Sequence, residues 1–75
     1  MTRTATHSEL EEIKAPADVE GVGVQAGDRG VVVEVFERPD AAVMVEYADD
    51  EGRTKALIIY SPNLEETLEV IPEPA

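Results

Sequence analysis

The sequence predicts an all-β protein, a small five-stranded barrel, and three observations lead to this prediction. β-branched and aromatic residues are concentrated in short runs, turn-forming residues separate the runs, and no stretch has the periodicity of a sizeable helix. A chain of 75 residues is one domain at most. Five short strands in so small a chain bury a face best by curling into a barrel, which also hides most sheet edges.

The strands are predicted in chain order from these runs. A capping-box spacing begins at Ser8, but Pro16 leaves fewer than two helical turns, which favours a short first strand over a helix. A long irregular loop follows at residues 15–30, where four glycines and a proline lie. The runs predicted as strands are residues 10–14, 31–37, 42–48, 53–60 and 67–71.

The connections between the runs suggest a known layout. Arg38-Pro39-Asp40 and Asp49-Asp50-Glu51-Gly52 are turn sequences, and a brief turn or a single short 3₁₀ turn is expected at residues 61–66. A long first loop, a three-strand meander and a 3₁₀ turn before the last strand are the layout of an SH3-like barrel. The predicted barrel domain is residues 9–72, with a flexible N-terminal tail at residues 1–8 and a C-terminal tail at 73–75.

The segment Gly27-Asp28-Arg29-Gly30 directly precedes a run rich in valine. Its two glycines predict a tight turn in which at least one residue has a positive φ. Such a turn fixes where the strand begins. The register matters because a slip of one residue would exchange the two faces of the sheet.

Two glutamates predict which side of the central strands faces water. Glu34 must face solvent, and alternation along its strand then assigns the neighbouring residues to a face. This predicts inward positions for Val31, Val33 and Val35, and outward positions for Val32 and Phe36. Glu46 gives the same rule for the next strand, with Val43, Val45 and Tyr47 inward and Met44 outward.

The fourth strand is apolar on both faces. Ala56, Ile58 and Tyr60 share one face, and Lys55 shares the other with Leu57 and Ile59. Strands of this kind are usually covered on both sides, here by the long loop, the tail or another subunit. If nothing covers the outer side, Val32, Phe36 and Met44 form an exposed patch typical of a contact site. The alternative is that curvature and the loop hide these side chains.

The charge balance restricts the classes of partner. Seventeen acidic residues against six basic ones give a net charge of −11, which repels nucleic acid. The acidity fits either solubility in a salty cytoplasm or recognition of a basic protein. The chain has no cysteine, no secretory signal and no apolar run long enough to span a membrane, so a cytoplasmic location is expected.

No residue pattern indicates catalysis, a metal or a cofactor. The only histidine, His7, lies in the predicted tail, and Asp49-Asp50-Glu51-Gly52 lacks the ligand spacing of a calcium loop. The glycines of the long loop precede a strand rather than a helix, which argues against a phosphate-binding loop. The expectation is a protein that is not an enzyme.

Several motifs together resemble a family of small bacterial proteins. These are the run Gly27–Phe36, then Val45-Glu46-Tyr47, the turn and strand at residues 50–57, and Leu68-Glu69-Val70-Ile71. Over residues 10–71 the chain resembles the DUF4926 family, from which it departs by an inserted Glu51 and a more acidic loop. The resemblance implies an SH3-like fold, no assigned biochemical activity, and toxin-like proteins encoded beside some members.

The sequence therefore predicts a non-catalytic acidic module that binds another protein. The resemblance implies an antitoxin, immunity-type or accessory role toward a basic or toxin-like partner encoded nearby. The residues expected to bind the partner are Val32, Phe36, Met44, Asp49, Asp50 and Glu51. The alternative is a structural homo-oligomeric barrel whose acidity serves solubility or salt adaptation.

Overall fold

A computed structural model describes residues 9–37 and 40–72, and these residues form one antiparallel sheet without a helix. The five strands are β1 (Glu12–Lys14), β2 (Arg29–Phe36), β3 (Ala42–Ala48), β4 (Thr54–Tyr60) and β5 (Thr67–Pro72). The all-β prediction is confirmed. The two predicted tails, His7 and the Arg38-Pro39 part of the first turn lie outside the described residues.

The sheet is open in the described part of the chain. Its strand order is β1-β2-β3-β4-β5, so each strand pairs only with its neighbours in sequence. β1 and β5 are the two edges and do not pair with each other across the described residues. The predicted closed barrel is therefore not confirmed. The first strand is also shorter than predicted, because Leu10 has a φ of 69° and extended backbone begins only at Glu12.

The connection before β5 is a single hydrogen-bonded turn, which agrees with the brief turn predicted at this point. The Leu64 amide donates to the Ser61 carbonyl at 2.9 Å, which closes the turn. Leu64 has a φ of 65°, and this left-handed conformation prevents the right-handed turn from continuing. The Ser61 hydroxyl then accepts the Glu66 amide at 2.9 Å and leads the chain into β5.

The core lies between the inner face of the sheet and the loop that joins β1 to β2. Val24 of this loop is 2% exposed, and the partly buried Val19 and Val22 pack beside it. Val19 and Val24 form an isolated β-bridge, which makes the tip of the loop a small hairpin. The long loop therefore covers the inner side of the sheet. The core cluster consists of Ile13, Ala15, Val24, Val32, Val43, Val45, Tyr47, Ala56, Ile58 and Tyr60.

A β-bulge in β2 changes the predicted faces of two valines. Val32 pairs with Val45 and is fully buried, whereas Val31 is 36% exposed, so the inward prediction for Val31 and the outward prediction for Val32 are wrong. The register shifts between Val32 and Glu34, and the extra residue, Val33, has no partner in β3. One inserted residue resets the alternation, so Val32 faces the core and Glu34 still faces outward.

Beyond the bulge the predicted faces are confirmed. Val35 pairs with Val43 and packs against the core cluster. In β3 the inward residues Val43, Val45 and Tyr47 are all fully buried. Glu46 and Met44 alternate with them and are only half-buried, as expected for the opposite face.

Gly30 and Gly27 serve different purposes in the segment before β2. Gly27 has a φ of +90°, which confirms the predicted turn residue with positive φ. Gly30 is buried and lies opposite Tyr47 in the register. A Cβ at Gly30 would stand 2.5 Å from Val45 Cγ1 and 2.7 Å from Tyr47 Cε1, so only glycine allows this close packing.

Candidate functional site

The register places a second set of side chains on the side of the sheet that points away from the core. We call this side the outer face. Two rows of paired residues cross it, and both mix apolar and acidic side chains. The first row is Glu12, Val31, Glu46, Leu57 and Ile71, and the second is Glu34, Met44, Ile59 and Glu69.

Four half-buried apolar residues form the centre of the outer face, and we call them the apolar strip: Met44, Leu57, Ile59 and Ile71. Met44 pairs with Ile59, and Leu57 pairs with Ile71, so the strip runs without interruption across β3, β4 and β5. None of the four belongs to the core cluster formed by the described residues. A contiguous apolar surface outside the core is the kind of feature that marks a contact site.

Two glutamates flank the apolar strip on opposite sides. Glu34 is the β2 partner of Met44, and Glu69 is the β5 partner of Ile59. Three strand spacings of about 4.8 Å put their Cα atoms about 14 Å apart. Both side chains are exposed, and neither has a hydrogen bond or ion pair to another described residue. They are therefore available to a cationic partner.

The other two glutamates of the rows, Glu12 and Glu46, have partners among the described residues. Glu46 accepts a hydrogen bond from the Thr54 hydroxyl. At the corner near β1, Arg29 lies 3.9 Å from the Glu12 carboxylate, and both side chains are well exposed. Such an exposed pair contributes little to stability, and Lys14, which pairs with Arg29 in the register, adds a further positive charge at this corner.

Alternation along β4 predicts that Lys55 lies on the outer face with Leu57 and Ile59. In the structure Lys55 does not extend over that face. A register shift leaves Lys55 unpaired with β3 and directs it to the loop between β1 and β2. Its ammonium group donates to the Gly23 carbonyl at 2.9 Å and lies 3.5 Å from the Asp28 carboxylate. The Gln25 amide, 2.9 Å from that carboxylate, lowers the pKa of Asp28, and the charge of Lys55 adds to the effect.

The predicted partner-binding residues fall into different environments. Val32 is fully buried in the core, because the bulge turns it inward, and it offers no surface to a partner. Met44 lies in the apolar strip. Phe36 lies half-buried at the end of β2, opposite Ala42 and away from the centre of the strip.

The acidic turn between β3 and β4 is largely satisfied within itself. One oxygen of Asp49 accepts the amides of Glu51 and Arg53, each at 2.9 Å, and these bonds lower the pKa of Asp49. The Arg53 guanidinium also contacts the carboxylates of Asp49 and Glu51. Asp50 is exposed and, among the described residues, has no hydrogen bond or ion pair. Of the three acidic residues predicted to bind a partner, Asp50 thus has the fewest contacts with other described residues.

The buried tyrosines are the most perturbed titratable groups of the described chain. The hydroxyls of Tyr47 and Tyr60 lie 2.7 Å apart and form a hydrogen bond inside the core. Burial raises the pKa of both side chains above the usual value, and for Tyr47 the bond to Tyr60 adds to the rise. Both rings are buried to within 1% of their surface, so a solute cannot reach them. They therefore fill the core, as their sequence positions indicated.

One concavity of about 250 Å³ lies on the long loop and is wide open. Its lining includes Asp18 and Gln25, but Asp18 already accepts the Ala26 amide at 2.8 Å. In the described residues no group of three or more histidine, cysteine or acidic side chains could hold a metal ion. Nor does the described chain contain a helix with the length and apolarity needed to cross a bilayer.

The sequence had left part of this surface unassigned. Leu57 and Ile59 were known to share a face, but which face it was could be decided only by the pairing of β3 with β4. Ile71 and Glu69 were not predicted as surface residues of interest. The alternation in Leu68-Glu69-Val70-Ile71 indicates that Glu69 and Ile71 share a face. That this is the outer face, with Glu69 opposite Ile59 and Ile71 opposite Leu57, depends on the register of β5.

Comparisons with known proteins identify a family. No curated protein and no solved structure matches the chain significantly. A family model described as "Domain of unknown function (DUF4926)" matches residues 9–64, which span β1 through β4 and the turn that follows. This match covers well over half of the chain and agrees with the motifs found in the sequence. The chain belongs to the DUF4926 family.

Proposed function

We propose that the protein is a non-catalytic interaction module that binds another protein through the outer face of its sheet. The observation that supports this most is the apolar strip, which stays partly exposed while the loop covers the opposite face. Single exposed apolar residues are common on protein surfaces, whereas contiguous apolar side chains outside the core are the kind of surface that contact sites use. The two flanking glutamates add a charge preference to the same surface.

A basic partner suits this surface best. The net charge of −11 attracts a cationic protein over a distance, and the carboxylates of Glu34 and Glu69, beside the strip, have no partner among the described residues. Long-range attraction of this kind raises the association rate and weakens with salt. An SH3-like barrel, membership of a family of small bacterial proteins, and an antitoxin, immunity-type or accessory role toward a neighbouring gene product belong to the same proposal.

A pull-down with the products of the neighbouring genes tests the proposal. Wild-type protein is compared with Met44→Lys, which places a cation in the strip, and with Leu68→Lys as a matched control. Leu68 is 50% exposed on β5 and lies outside the strip. We expect one neighbouring product to be retained by wild type and by Leu68→Lys, and to be lost with Met44→Lys. Equal retention by all three, or no retained product at any salt concentration, contradicts the proposal.

A structural homo-oligomer is the second candidate, with the acidity serving solubility. The observation that favours it is the open sheet, because in the described residues the outer edge of β5 pairs with no strand. Unpaired edges are templates for association between copies. Light scattering distinguishes the two candidates: a dimer or larger assembly that persists on dilution supports the oligomer, and a monomer excludes it.

A further inference from the structure

We propose that the apolar strip, together with Glu34 and Glu69, is the binding site for a single amphipathic helix with basic residues on both flanks. This inference rests on the proposed function and names the chemistry of the partner. The row Glu34, Met44, Ile59, Glu69 is the geometric basis, because two apolar side chains lie between two exposed carboxylates.

The width of this row matches one helix. The Cα atoms of Glu34 and Glu69 are about 14 Å apart, and a helix with its side chains is about 10–12 Å in diameter. A helix lying along the strand direction would therefore cover Met44 and Ile59 and leave one carboxylate on each side. Lysine or arginine on both borders of its apolar face would reach these carboxylates while their aliphatic stems lie along the strip.

The spacing of the apolar side chains along the strands also matches one helix. Leu57 and Ile59 are two residues apart in β4, so their Cα atoms are separated by about 6.8 Å. Helix residues at positions i and i+4 rise by about 6 Å. Successive apolar residues of the helix can thus contact Ile59 and then Leu57 with Ile71. The contact therefore extends over slightly more than one turn of the helix.

Other occupants fit the face less well. An extended peptide binds by adding to a sheet edge, but β3 and β4 lie inside the sheet and are paired on both sides. A helix satisfies its own backbone and needs none of these groups. A second copy of the chain would bring the same carboxylates and another net charge of −11 against the face. Like charges opposed in this way disfavour the association.

The test uses two synthetic peptides and three forms of the protein of 75 residues. One peptide of about four helical turns carries leucine on one face and lysine on both borders of that face. The second has the same composition in an order that alternates leucine and lysine. Binding is measured by calorimetric titration to wild type, to Glu34→Gln/Glu69→Gln and to Glu65→Gln/Glu66→Gln. The last variant removes two exposed carboxylates from the turn before β5, away from the strip.

We expect wild type to bind the helical-order peptide and to bind the alternating peptide at least about tenfold more weakly. The variant Glu34→Gln/Glu69→Gln lacks two charge-assisted contacts, so we expect it to bind the helical-order peptide about tenfold more weakly than wild type, or weaker still. The control variant should lose less than about twofold, because its carboxylates are exposed and remote. Circular dichroism confirms that each variant keeps the β spectrum of the wild type.

The outcomes separate this inference from the proposed function. Equal affinity for both peptides, equal losses in the two glutamine variants, or no binding of either peptide overturns the helix inference. The proposed function still stands in those cases if Met44→Lys abolishes retention of the natural partner. If the natural partner is retained by Met44→Lys, the proposed function itself fails.

Discussion

The hydroxyl groups of Tyr47 and Tyr60 are each other's hydrogen-bond partner inside the core. Removing one hydroxyl leaves the other buried without that partner, which costs about 1–2 kcal/mol in the free energy of unfolding. Removing both leaves no unsatisfied group. We expect Tyr47→Phe and Tyr60→Phe each to destabilise the protein, and the double variant to lose less than the sum of the two. Urea unfolding of the four proteins measures this, and additive losses would refute the pairing.

The same pair predicts a loss of stability at alkaline pH. Burial raises the pKa of both hydroxyls above the usual value near 10, so above that pH the native protein binds more protons than the unfolded chain. The contribution of neutral tyrosine is therefore complete below about pH 10 and declines as the pH rises further. In the double variant Tyr47→Phe/Tyr60→Phe, the free energy of unfolding measured with a chemical denaturant should therefore fall less steeply with rising pH than in the wild type. An identical pH dependence in the two proteins would contradict the explanation.

The close packing of Gly30 in β2 against Val45 and Tyr47 in β3 can be tested by substitution. Gly30→Ala introduces a Cβ within 3 Å of Val45 and Tyr47, two fully buried side chains that have little room to move. We expect a loss of about 1–3 kcal/mol in the free energy of unfolding. Val45→Ala removes Cγ1, the atom nearest to the added Cβ. The clash is then smaller, so the double variant Gly30→Ala/Val45→Ala should lose less stability than the sum of the two single variants. Strict additivity in thermal or urea unfolding would argue against the contact.

At the scale of elements, the loop between β1 and β2 is held over the core by Lys55. The contacts of Lys55 with Gly23 and Asp28 join β4 to a segment about thirty residues earlier in the chain. We expect Lys55→Met to speed amide hydrogen exchange in the loop, at residues 19–28, and to leave β3 unchanged. Lys14→Met, at an exposed lysine of β1, is the control. Equal exchange in the two variants would show that Lys55 does not hold the loop.

The strands were predictable because their sequences alternate and are bounded by turn residues. β3 coincides with its predicted range, and β2, β4 and β5 differ from theirs by one or two residues. The faces were predictable only where a charged residue marks them, as Glu46 does in β3. In β2 the three consecutive valines have no polar residue among them, so the bulge at Val33 leaves no trace in the pattern.

The surface that we propose to be functional needed the register as well as the strands. Glu34 and Glu69 are far apart in sequence, and only the pairing of β2 through β5 places them on either side of Met44 and Ile59. The direction of Lys55 likewise depends on an irregularity that its sequence does not mark. Whether the sheet closes depends on distant edges, and local patterns do not determine contacts between them.

At the scale of the whole molecule, the two faces of one sheet have separate roles. The inner face and the long loop bury the core that stabilises the fold. The outer face keeps apolar side chains partly exposed among carboxylates, within a chain of net charge −11. A net charge of this sign favours solubility in general, and under the proposed function it favours a basic partner. This division of the faces is the central claim, because the proposed function and the helix-binding site both depend on it.

Methyl NMR spectra recorded with a soluble paramagnetic probe test that claim directly. The probe broadens signals in proportion to their access to solvent, so the two faces should separate in one spectrum. We expect strong broadening for Val31, Met44 and Ile59 and none for Val32, Val45 and Ile58. If the Val32 methyls broaden, or if those of Met44 and Ile59 are protected in the free protein, the assignment of the faces is wrong.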